Sequence, residues 1–225
     1  MLKVRIWAGM PIMGFALVLL GTPLGMPGKA EAGIDPHIFN TVETAALTKW
    51  DVKNPMIFGW RDMEGRWHNG APCSAAAAPT CTSSGWQQMI DGLKGKDRKA
   101  QVEAVNTYFN NDLHPYRFDQ DNWGRPDYYA TPYEFLKKSG DCEDYAIAKY
   151  MALRALGVPV EDMRLLGVSI KSQRNIAHAI LLVALNGETV VLDNRNAHVM
   201  RASLVADYRA LISVNEINWR LHLQK

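Results

Sequence analysis

The 225 residues carry 25 lysines and arginines against 23 aspartates and glutamates, a formal net charge of +2. Lys3, Arg5 and Lys29 against Glu31 account for that excess within residues 1–32, so residues 33–225 are formally neutral. A neutral domain lacks the field that draws nucleic acid or an anionic membrane, and a chain of this length buries a sizeable core as one domain.

Residues 1–32 read as a signal peptide. Lys3 and Arg5 make a basic start, Ile12 to Leu20 is apolar except for Gly14, and a breaker-rich stretch ends in Ala30-Glu31-Ala32. The apolar run is shorter than the roughly 20 residues that cross a bilayer. Cleavage after Ala32 is expected, a retained anchor being the alternative. Export implies an oxidising compartment, where Cys73, Cys81 and Cys142 suggest one disulfide and one free thiol. Cys73 and Cys81 flank a short loop they could close, which leaves Cys142 unpaired; geometry decides whether they bridge.

Ile34 to Trp50 reads as an extended or helical piece packing on the domain. Asp51 to Gly70, with Trp60 and Trp67, shows no clear periodicity, and Ala71 to Ser84 is a low-complexity surface loop. Trp86, Met89, Ile90 and Leu93 then share one helical face, with Gly92 and Gly95 as its end. Asp97 to Asn110 is a second helix, with Val102, Val105, Tyr108 and Phe109 on one face. Asn110 to Pro132 is loop-like; its aromatics, Tyr116, Phe118, Trp123, Tyr128 and Tyr129, either line a groove or pin the loop.

Thr131-Pro132-Tyr133-Glu134 spells a helix start: a capping hydroxyl, a first-turn proline and a capping-box glutamate. That short helix ends at Gly140. Cys142 to Leu156 is the strongest helical pattern, stopped by Gly157-Val158-Pro159. Met163 to Ile170, Ala177 to Leu185 and Thr189 to Leu192 then read as strands, the last two joined by an Asn186-Gly187 hairpin signal. Leu204 to Leu211 reads as a short helix, and Ser213 to Leu223 contains an alternating apolar segment. Helices first and an antiparallel sheet after them make an α+β domain.

Cys142 opens the strongest helix, where the macrodipole favours a thiolate, yet Asp141, Glu143 and Asp144 crowd it with negative charge. His178 lies in a strand, and Asp193 ends the next one across the hairpin. Pairing of those strands brings the two together, which is what a nucleophile, a base and an orienting carboxylate require. Plainer readings exist: a small buried cysteine, a satisfied core histidine, a turn aspartate.

Gly140-Asp141-Cys142-Glu143-Asp144-Tyr145-Ala146, then Ala177-His178, then Leu192-Asp193-Asn194, resembles the bacterial transglutaminase-like cysteine proteinases. Trp123-Gly124 and Ala130 to Leu136 extend the resemblance, which runs from about Val105 through Asp193 and looks most like the LapG-type periplasmic proteases. Cys73 and Cys81 do not map onto the family pattern. The resemblance implies a papain-like, transglutaminase-like core that hydrolyses peptides through an acyl-enzyme. Cys142 would be the nucleophile, His178 the general base and then acid, and Asp193 the group that orients it; the Cys142 N–H would serve the oxyanion hole. Trp86 would either line the cleft or belong to the core.

The family further implies Ca²⁺ on Asp141, Glu143 and Asp144, a cation that would relieve the crowding around the thiol. The plainer alternative is that these acids cap the helix and complement its dipole. Family members cut the N-terminal region of a large surface adhesin in the periplasm, restrained by an inner-membrane partner responsive to cyclic di-GMP; both partners are expected here by resemblance. Transglutaminase or peptide-amidase transfer on the same fold is the alternative reaction. A non-catalytic binding module is the alternative class, against which the joint presence of Cys142, His178 and Asp193 argues.

Overall fold

The structure, a computed structural model, describes residues 33–48, 53–69, 85–111 and 114–225. The expected signal segment and the pairing of Cys73 with Cys81 lie outside the described residues. These form, in chain order, β1 (Thr41–Glu43), α1 (Pro55–Asn69), α2 (Trp86–Leu93), α3 (Arg98–Phe109), α4 (Asp119–Trp123), α5 (Pro132–Lys138) and α6 (Cys142–Ala155). The strands β2 (Met163–Ile170), β3 (Ile176–Leu185), β4 (Glu188–Leu192), β5 (Met200–Arg201), β6 (Tyr208–Val214) and β7 (Trp219–Gln224) follow. They join in one antiparallel sheet of order β1-β7-β6-β2-β3-β4-β5. The expected α+β arrangement of helices against an antiparallel sheet is therefore present.

Central strands β2 and β3 are covered on both faces. Leu165, Leu181 and Val183 pack with Ile147, Tyr150 and Leu153 of α6, while Leu166, Val168, Ile180 and Leu182 pack with Ile34, Ile38 and Ala202. Burial on both sides is why these strands read as nearly continuous apolar runs rather than alternating ones. The hairpin between β3 and β4 turns through Asn186 (φ 52°) and Gly187 (φ 83°), the left-handed pair that a two-residue turn demands.

Two stretches depart from the sequence reading. Pro55 to Asn69 is a helix although Gly59, Gly65 and interspersed charges hide its period. Ile57, Trp60 and Met63 are fully buried, and tertiary packing overrides weak propensity. Gly59 lets the Tyr129 ring lie against the helix, since a Cβ there would stand 2.3 Å from it. Leu204 to Leu211 is not a helix. Ala202–Leu204 makes one 3₁₀ turn, and β6 begins at Tyr208, pairing with Ile170 of β2. The apolar spacing there fits either period, and a strand partner decides it. The N-terminal piece takes the extended option, with Val42 opposite Leu223.

Candidate active site

The turn into α6 is built for close approach. Asp144 is fully buried; its Oδ1 accepts the Ala130 N–H (2.6 Å) and its Oδ2 accepts the Asp141 N–H (3.3 Å). A Cβ on residue 140 would lie 1.9 Å from that Oδ2, so Gly140 is required by the aspartate beneath it. Cys142 is the first helical residue, half-buried at the positive end of the helix. Its S–H points to Glu143 Oε2 at 3.2 Å, and the backbone of Ala179 lies close enough to act on the sulfur. Burial first, then the Glu143 and Asp141 charges, push the thiol well above its ordinary range, with the Ala179 backbone acting the other way.

Ala179 follows His178 on β3, so the sulfur sits beside the histidine's strand. The His178 ring donates from Nε2 to Asp193 Oδ1 at 2.9 Å, and both residues are buried. A carboxylate on Nε2 fixes that nitrogen as the N–H and leaves the lone pair on Nδ1. Extending the β3–β4 register places Asp193 opposite Ile180, on the face that His178 shares. Asp193 also accepts the Arg195 N–H at 2.9 Å and the Tyr208 O–H. Burial alone would raise its pKa, but the bond to His178, the His178 charge and Tyr208 outweigh it and hold Asp193 below the usual carboxylate range. Tyr208 lies two strands from His178, diagonally across β2, with the rings 5.9 Å apart edge to face.

The acids around Cys142 form one cluster with two others. Ligand oxygens of Asp119, Asp141 and Asp144 lie within 4.8 Å of one another, as do those of Asp119, Asp127 and Glu143. Asp119 Oδ1 and Asp141 Oδ1 are buried without a hydrogen-bond partner among the described residues. Burial and then neighbouring carboxylates raise Asp127, push Asp119 up to about 6, and drive Glu143 and Asp144 well above the usual range. Crowded, partly unpaired carboxylate oxygens fit a hard divalent cation. Of the acids marked by sequence, Asp141 and Glu143 therefore suit a metal best, while both Asp144 oxygens already serve backbone N–H groups. Asp119 and Asp127 have no sequence signal beyond lying in an acidic loop.

Beside Cys142 runs the extended segment Tyr116 to Phe118, tied to α6 by the Arg117 N–H to Gly140 O bond (2.9 Å). Tyr116 and Phe118 pack edge to face at 5.3 Å and remain 48% and 62% exposed, the two loop aromatics free to line a groove. Trp123, Tyr128 and Tyr129 instead pin the loop, with Trp123 and Tyr128 rings 4.5 Å apart. Trp86 is core, packed among Trp67, Phe109 and Tyr133. No helix of the described residues is long and apolar enough to cross a membrane.

Comparison with known proteins gives two findings. A family model described as bacterial transglutaminase-like cysteine proteinase BTLCP matches residues 73–218. Among solved structures, calcium-bound Legionella pneumophila LapG is 31% identical over 71% of this chain and 87% of its own, with a TM-score of 0.56. Its EGTA-treated form is likewise 31% identical, covering 71% and 84%, with a TM-score of 0.56. No curated protein matches.

Proposed function

Since this chain belongs to the bacterial transglutaminase-like cysteine proteinases of LapG type and is a cysteine peptidase, we propose that Cys142, His178 and Asp193 are its catalytic triad. The observation that carries this is the 2.9 Å His178–Asp193 bond, on the strand whose next residue, Ala179, lies beside the Cys142 sulfur. His178 Nδ1 takes the thiol proton as the sulfur attacks the scissile carbonyl. Asp193 keeps the ring in the required tautomer and balances the imidazolium, with Tyr208 holding the carboxylate from its other oxygen. The Cys142 backbone N–H, unpaired at the first helical position, donates to the developing oxyanion. His178 then returns the proton to the leaving amine, and water, deprotonated by the same ring, releases the acyl group.

Calcium is the proposed cofactor, held by Asp141 and Glu143 with Asp119, Asp127 and Asp144 from the same cluster. Support comes from the orphaned Asp119 and Asp141 oxygens and from the calcium-bound state of a relative. A bound cation would neutralise the carboxylates that oppose thiolate formation at Cys142. The reading extends, as the sequence resemblance implies, to a periplasmic endopeptidase that cuts a large surface adhesin and is restrained by a cyclic di-GMP-responsive inner-membrane protein. The test is incubation of the purified protein with an adhesin-type fragment, with calcium or EGTA, followed by sequencing of new termini. Wild-type cleavage by Cys142→Ala refutes the triad, cleavage unaffected by EGTA refutes the metal, and amine incorporation exceeding hydrolysis refutes the peptidase reaction in favour of transfer.

A further inference from the structure

One charged side chain lies buried behind this site without a part in the steps above. Lys149 sits on α6 seven residues beyond Cys142, about two turns along the same face, and is completely buried. Burying an ammonium forfeits hydration that a methionine filling similar space would not need. Burial pulls Lys149 down to about 7, while the Asp193 charge acts in the opposite direction.

Its hydrogen bonds lead to the same place. Lys149 Nζ donates to Asn106 Oδ1 of α3 at 2.9 Å. Asn106 Nδ2 donates to Ala197 O at 3.1 Å and Asn196 O at 3.4 Å. Asn110 Nδ2, just past α3, donates to the carbonyls of Asp193 and Asn196 at 2.7 Å each. These bonds take up the carbonyls of the turn that begins at Asp193. Asp193's further partner Tyr208 feels the charges of Asp207 and Arg195, and Arg195 is exposed.

We infer that Lys149 is a positioning residue for Asp193. Through Asn106 it fixes the far end of the turn 193–197, whose start Asn110 holds, and it places a buried positive charge behind the carboxylate that orients His178. One rigid helix then carries the thiol at its N-terminus and the counter-charge of the orienting acid two turns on. The inference rests on reading His178 and Asp193 as catalytic partners.

The test reads the low-field proton resonance of the buried His178 Nε2–H by NMR, on the intact protein in calcium-containing buffer. His178→Ala assigns the signal by removing it; a signal that survives this change counts against the His178–Asp193 pair itself. Lys149→Met, which removes donor and charge, is expected to lose the signal to exchange with water. Lys149→Gln keeps a donor for Asn106 but no charge, and is expected to retain the signal at a shifted position. Thermal melts establish that each variant is folded. A signal at the wild-type position in either folded variant overturns the inference.

Discussion

The two halves of the site are finished to different degrees. On the sheet side, Asp193 is buried with both oxygens occupied, by His178 and the Arg195 N–H on one and by Tyr208 on the other. On the helix side, Asp119 and Asp141 are left with buried oxygens that nothing in the described chain satisfies, and burial with mutual repulsion raises the acids around them. The paired carboxylate is held low and the crowded ones high, although all are desolvated. Burial raises them all, and only at Asp193 do the partners outweigh it. One half is preorganised by the fold, and the other has unsatisfied oxygens that the proposed cation would complete.

The largest effect should come from removing a reacting group, on either half. Cys142→Ala or His178→Ala is expected to reduce cleavage of an adhesin-type substrate by a factor of about a thousand or more, with little change in melting temperature. Comparable activity in His178→Ala would remove the sheet half from the chemistry. The helix half is tested by metal. Calcium at a hundredfold excess over its dissociation constant should stabilise the fold by about 2.7 kcal/mol, read as a rise in melting temperature that EGTA reverses. Asp119→Asn should shrink that rise, because it alters a cluster in which Asp119 Oδ1 has no other partner among the described residues. An undiminished calcium response in that variant would take Asp119 out of the site. A smaller effect is expected for Tyr208→Phe, which strips one hydrogen bond from a buried carboxylate, worth about 1–3 kcal/mol. It should lower turnover while leaving the calcium response unchanged; a variant that instead lost calcium binding would erase the distinction between the halves.

The same division explains what could be read before the structure. The strands, the hairpin and the Cys142, His178 and Asp193 placements are set by local signals: apolar runs, an Asn-Gly turn, a glycine break before a helix. Asp119 and Asp127 had no such signal, because acids in a polar loop look like solvated turn residues until the fold lays that loop against the start of α6. Tyr208 was hidden in a segment whose apolar spacing suits helix or strand equally, so its reach to Asp193 depends on pairing with β2. Lys149 carries no sequence signal of burial; packing of α3 and the turn after β4 against α6 makes it a buried charge. Helix α1 was missed for a related reason, since its period is interrupted and Tyr129, distant in sequence, fills the space its glycine leaves.

A milder change probes how far the helix half depends on its scaffold. At the start of α5, the Thr131 N–H donates to Glu134 Oε2 at 2.7 Å, and the Thr131 hydroxyl accepts the Glu134 N–H at 3.4 Å. Glu134 also accepts the Tyr128 O–H at 2.8 Å, and the Tyr128 N–H holds Asp119 Oδ2 at 2.5 Å. The cap of a seven-residue helix is thus two bonds from the acid cluster. Thr131→Ala should cost about 1 kcal/mol of stability, whereas Thr131→Ser, which keeps the capping oxygen, should cost only part of it. Because Glu134 retains its bonds to Tyr128 and Arg66 in either variant, Asp119 stays in place and the calcium-induced rise in melting temperature should match that of the wild type. A calcium response that falls with the cap would show that the acids are held by α5 itself, not by the Tyr128 and Ala130 N–H groups that grip Asp119 and Asp144.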